Sequence, residues 1–167
     1  MHSSIKYIFL ISAFLLSACQ ANVTSSTKIT SYKPTSSAEE NARWNQMTGT
    51  WYGSQPTQDG GKKEAISRRS VDGTYEVTFR VTAYDGHVEE FTEVGEWGIS
   101  GPVYFTIFRG RVKHKEIFPA DPSDPYHYDA YKILSLDNHA FSYEHFSTGN
   151  TYHQRKVAHD FHFNDAK

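Results

Sequence analysis

The chain carries one thiol, Cys19, and nine histidines. A single cysteine cannot close an internal disulfide, and a four-cysteine zinc ribbon fails on the same count. Among the histidines, His159 and His162 have an i, i+3 spacing that a metal can use on a helix. His114, His127, His139, His145 and His153 are scattered over several segments, without a Cys partner or a His-Glu-x-x-His pattern, so no metal site is assigned. There is no Gly-x-Ser-x-Gly and no glycine-rich loop before a helix. The expectation is therefore a protein without catalytic residues and without a cofactor. Charged groups offer a different chemistry. Glu89, Glu90, Glu93 and Glu96 face a chain that also holds Arg68, Arg69, Arg80, Arg109 and Arg111, a supply of cross-strand ion pairs worth a few tenths of a kcal/mol each when exposed. If Glu93 or Glu96 points inward with an arginine, the pair selects a ligand with a polar head. Gly95 leaves that facing open, because a glycine inside a strand often marks a bulge.

Composition bounds the frame that positions these groups. At 167 residues the chain has room for one core. Aromatics at 15% argue against disorder, which goes with few aromatic residues. A formal net charge of −2 supplies no broad positive field for phosphates, so nucleic-acid binding is disfavoured.

The N-terminus carries an address. Lys6 gives a positive start, Tyr7 to Leu16 form an apolar run, and Leu16-Ser17-Ala18-Cys19 follows at once. About 20 apolar residues are needed to cross a bilayer as a helix, so this shorter run reads as an export signal. The four residues resemble the lipobox of bacterial lipoproteins. That resemblance implies cleavage of residues 1–18, acylation of Cys19 and anchoring in a membrane through the N-terminal lipid. Gln20 in place of Asp implies sorting to the outer membrane, with the domain facing the periplasm. Residues 19–37 are rich in Ser and Thr and lack apolar periodicity, a composition that reads as a flexible tether.

The folded domain is expected over 38–158, with a C-terminal tail at 159–167 that reads as solvated. Ser37 followed by Ala38-Glu39-Glu40 predicts a short helix running toward Met47. Beyond Thr48 the period becomes two. In Thr74 to Tyr84, Tyr75, Val77, Phe79, Val81 and Ala83 share one face. Similar runs at 50–55, 63–70, 88–97, 103–112, 128–136, 140–147 and 151–158 make about eight strands, separated by turn sequences such as Val71-Asp72-Gly73 and Tyr84-Asp85-Gly86. Consecutive hairpins leave two bare edges unless the first and last strands meet. The expected class is thus all-β, an antiparallel up-and-down barrel with a short N-terminal helix.

Gly49-Thr50-Trp51, after the helix and opening the first strand, resembles the G-x-W signature of lipocalins. Tyr128-Asp129-Ala130-Tyr131 is similar to a second motif of that family, Thr-Asp-Tyr, with the Thr missing. The resemblance implies a lipocalin-like barrel whose base is closed by Gly49 and Trp51, with Arg155 as the cation packed against the indole. Tyr75, Phe79, Phe105, Tyr131, Phe141 and Tyr143 are the aromatics assigned to a ligand. They either line a calyx for a small hydrophobic or amphipathic molecule or form ordinary core, and a cavity volume separates the two. The other reading is a periplasmic module that binds a protein partner, such as a hydrolase inhibitor, through a filled barrel and an exposed patch. Ser147-Thr148-Gly149-Asn150-Thr151-Tyr152 resembles the Ser-Gly-x-x-Tyr loop of such inhibitors, with Thr148 where their Ser stands.

Overall fold

A computed structural model describes residues 37–166. The export signal, Cys19 and the tether up to residue 36 lie outside the described residues. The domain begins with α1 (Ala38–Met47), whose start is fixed by a reciprocal cap. The Ser37 hydroxyl accepts from the Glu40 amide at 3.1 Å, and the Glu40 carboxylate accepts from the Ser37 amide at 3.0 Å.

Nine strands follow: β1 (Gly49–Pro56), β2 (Lys62–Arg69), β3 (Thr74–Thr82), β4 (Val88–Ser100), β5 (Val103–Lys113), β6 (Glu116–Pro119), β7 (Tyr128–Leu136), β8 (Ala140–His145) and β9 (Thr151–Val157). All pair antiparallel, and each is beside its neighbour in sequence except where β6 intervenes. The β1–β9 and β4–β5 pairings join the margins, so eight strands form a closed up-and-down barrel and β6 extends it beside the outer half of β5. The architecture expected from the alternation is the one observed. β6 departs from the alternation, which places 113–127 in a connection. The β5–β6 turn uses His114 and Lys115 at φ 52° and 67°, so no glycine or asparagine advertises it.

Helix α1 plugs one end. Trp44 stacks on Trp97 with centroids 4.2 Å apart, and its indole N–H donates to the Val71 carbonyl at 3.1 Å. Trp51 is fully buried, and its N–H donates to the Met47 carbonyl at 2.8 Å. Phe141, also fully buried, meets Trp51 edge-on at 6.0 Å. All three tryptophans of the chain therefore sit at this floor. Gly49 enters β1 at φ +114°, a conformation that side chains rarely adopt, and so aims Trp51 inward.

Two expectations need correction. Arg155 does not pack on Trp51. In the β1–β9 register Trp51 faces Lys156 while Arg155 is opposite Tyr52. Adjacent strand residues point to opposite faces, so Arg155 lies outside, over Tyr52 and Phe161 at 5.1 Å. The cation over the indole is Lys156, 5.1 Å from the ring, and it also donates to the Gln46 carbonyl at 2.9 Å. The second correction concerns the tail, which is not solvated throughout. Phe161 and Phe163 are buried with Ile66 and pack beside Tyr52 and Val157, forming a second small core on the outer face of β1, β2 and β9.

Replacing Trp51 with Ala leaves a hole in a floor that cannot collapse around it. Trp51→Ala is expected to cost about 3–5 kcal/mol of unfolding free energy, read from denaturant curves. A loss under about 1 kcal/mol contradicts its place as the core of the floor.

Candidate functional site

The inner wall of the barrel encloses a cavity of about 580 Å³. It exists because the inward positions are unequal in size. Gly53, Ala65, Ser67 and Val77 on β1 to β3 are small, while Tyr104 on β5, Tyr131 on β7, Tyr143 on β8 and Tyr152 on β9, with Tyr75 and Phe79 on β3, are large. The tyrosines brace one another: Tyr104 and Tyr131 lie 5.3 Å apart, and Tyr143 and Tyr152 stack at 5.1 Å. The small side chains leave the space that packing fills in an ordinary core.

Of the aromatics assigned from sequence, Tyr75, Phe79, Tyr131 and Tyr143 line this cavity. Phe141 lies beneath it, inside the floor. Phe105 faces the other way: it follows the inward Tyr104, and its ring covers Gly98, where an added Cβ would sit 2.3 Å from it. The charged wall was read from sequence only in part. Glu93 and Arg111 do point inward and pair at 3.2 Å. Glu96 and Arg109 pair outside at 2.9 Å. The register shift opposite Val94/Gly95 makes this possible, since Arg109 is the extra residue on β5 and the inward set changes from Phe108 to Arg111 across it. Gly95 is required there, because a Cβ would lie 2.1 Å from the Ile107 carbonyl oxygen. Arg68–Glu76 and Arg80–Glu90 complete the cross-strand ion pairs outside the cavity, at 3.7 and 2.7 Å.

Arg69, grouped from sequence with those pairs, is different. It is 4% exposed, borders the cavity near the floor, and has no carboxylate within ion-pair distance among the described residues. Its Nε and Nη2 donate to the Tyr104 hydroxyl at 3.3 and 3.2 Å, and Nη2 also donates to Gln154 Oε1 at 3.1 Å. The rings of Tyr104 and Phe141 lie 5.1 and 5.5 Å from the guanidinium carbon. Nη1 is buried without an acceptor. The parity of Lys63, Ala65, Ser67 and Arg69 along β2 held the signal, but this inward face lacks the large apolar residues that mark an inward face.

At the opposite end, Lys63, Arg111, Tyr126 and His127 surround the mouth, where Tyr126 is 89% exposed. Burial lowers the Lys63 pKa. His145 Nε2 meets the cavity-lining Asp129 at 3.1 Å. Tyr152, the tyrosine of the loop compared with hydrolase inhibitors, is turned into the barrel rather than outward. Among the described residues no cluster of His, Cys, Asp and Glu is arranged to hold a metal ion. His159 and His162 do not share an α-helix.

The wall contains hydroxyls that titrate abnormally. Burial raises the pKa of Tyr75, Tyr131 and Tyr143 well above the ordinary 10.0, with neighbouring Tyr104 or Asp129 adding to the effect. The folded state thus holds these protons where the unfolded chain releases them. The stability concerned is fully present below pH 10.0 and is lost as pH rises above it. A spectrophotometric titration is expected to show part of the tyrosine absorbance change appearing only together with alkaline unfolding. Ionisation of all tyrosines in one reversible step near pH 10, with the fold intact, contradicts this wall.

No family model matches the sequence, and no curated protein matches it. Among solved structures, the chain is similar to a lipocalin-like protein from Bacteroides uniformis, known from a crystal structure. The two are 17% identical with a TM-score of 0.43, over 67% of this chain and 99% of that one. The closed eight-stranded meander with a helix at its base is a lipocalin-like architecture in its own right.

Proposed function

We propose that this chain is a lipid-anchored lipoprotein of the outer membrane, facing the periplasm, whose barrel holds a small amphipathic molecule without transforming it. The observation that carries the reading is the cavity of about 580 Å³ inside the closed wall. That volume lies within the range of small-molecule sites, about 300–1,000 Å³. The lining mixes aromatic faces with Arg69, Glu93 and Arg111, so it suits a molecule with both an apolar body and a polar group better than a plain hydrocarbon. The anchor rests on Leu16-Ser17-Ala18-Cys19 and Gln20. Several acyl chains together hold a protein stably at a bilayer, whereas one gives only marginal binding.

A second reading has its own support at the rim. Ile117 and Phe118 on β6, Tyr126 in the segment after it and Tyr128 at the start of β7 are exposed, as a protein-binding surface would have them. Native mass spectrometry of the protein purified from its own host separates the two. A retained small molecule is the expected result; a co-purifying protein with an empty barrel favours the rim. The anchor is tested by fractionation. Cys19→Ser is expected to leave the precursor unlipidated and remove the chain from the membrane fraction, and unchanged fractionation contradicts the lipid address.

A further inference from the structure

The buried guanidinium of Arg69 sets a requirement that an uncharged ligand cannot meet. A buried charge ordinarily has an ionic partner, because removing it from water is costly. Arg69 has only neutral acceptors, the Tyr104 hydroxyl and the Gln154 amide oxygen, and its Nη1 has none. The other ionised groups at the cavity do not supply the missing charge. Glu93 is taken by Arg111, and Asp129 lies against His145. The described lining holds the cations Lys63, Arg69 and Arg111 against the anions Glu93 and Asp129, one positive charge in excess.

We propose that Arg69 and Tyr104 form a subsite for the carboxylate of a monoanionic amphipathic acid, which enters head first and leaves its apolar body among the tyrosines. This rests on the ligand-binding reading above and specifies its ligand class. Two donors remain at the subsite once the internal bonds are counted. One is Nη1 of Arg69, which has almost no accessible surface, so the guanidinium must turn toward the entering carboxylate to use it. The other is the hydroxyl proton of Tyr104, whose oxygen already accepts from the guanidinium. Two donors match the two oxygens of a carboxylate, and charge-assisted bonds of this kind are roughly twice as strong as neutral ones. Tyr75, paired with Arg69, and Tyr131, paired with Tyr104, flank the subsite, and Val77, Phe79 and Phe108 line the way toward the mouth and receive the rest of the apolar part, while the mouth charges stay near water.

The test uses the full chain, with octanoate, octanol and inorganic phosphate as probes in calorimetric titrations. Octanoate is expected to bind about tenfold or more tighter than octanol, the ratio that one charge-assisted contact supplies. Arg69→Met is expected to remove that preference while octanol binding persists. Equal affinity of acid and alcohol for the unmodified protein overturns the carboxylate subsite and leaves the amphipathic-ligand reading standing. So does a preference for the acid that survives in Arg69→Met, which places the acid at Lys63 or Arg111 instead. Phosphate binding as tight as octanoate overturns the choice of an amphipathic acid in favour of a free oxyanion. Binding of neither organic probe overturns both readings. Tyr104→Phe provides a separate test if Arg69→Met does not fold. It is expected to weaken octanoate severalfold and leave octanol unchanged, and an unaltered octanoate affinity overturns the subsite.

Discussion

Everything in this domain follows from an uneven lining of a closed wall. Pairing of β1 with β9 and of β4 with β5 removes the barrel edges, so each strand has one face committed to the interior. On β1 and β2 those faces carry Gly53, Ala65 and Ser67 between Lys63 and Arg69, on β3 Val77 between Tyr75 and Phe79, and on β5 and β7 to β9 tyrosines. Volumes that do not match across a fixed wall cannot pack to the density of an ordinary core. The difference is the cavity. The floor obeys the opposite rule, with Trp44, Trp51, Trp97, Met47 and Phe141 filling the end that α1 covers.

Separating a filled floor from an open interior gives the site its polarity. Stability is concentrated where indole N–H groups reach carbonyls of Met47, Ser70 and Val71. The space above carries strained electrostatics, with raised tyrosine pKa values and an arginine lacking an anion. A protein optimised only for packing would fill that position with apolar atoms, often at no loss of stability. Its presence beside a cavity is the functional hint that composition alone does not offer. The small outer core of Phe161, Phe163 and Ile66 adds support to the wall from outside without reducing the interior volume.

Much of this was legible in the sequence, for identifiable reasons. Alternation in Thr74 to Tyr84 and the glycine turns revealed the strands, because sheet facing has a strict period of two. Ser37 with Glu40 announced the helix. Strand β6 escaped because Glu116–Pro119 is exposed throughout and its turn uses His114 and Lys115. Arg155 was mistaken for Lys156 because a family pattern fixes a neighbourhood, while facing depends on a single step of register. Phe105 was misplaced where both faces of β5 are apolar, so the pattern could not name the inward one. Arg69 looked like a surface ion-pair partner since arginine is seldom buried, and only the surroundings reveal that it has no carboxylate.

The most direct measurement enlarges a small inward side chain and reads the thermal midpoint. Ala65→Leu adds three carbons at a position that borders the open space. With an unfilled interior the midpoint stays the same or rises, because the added methyl groups occupy vacant volume. In a tightly packed interior the same change is overpacking and costs about 1–3 kcal/mol, with a correspondingly lower midpoint. That loss would contradict the open barrel and, with it, the ligand.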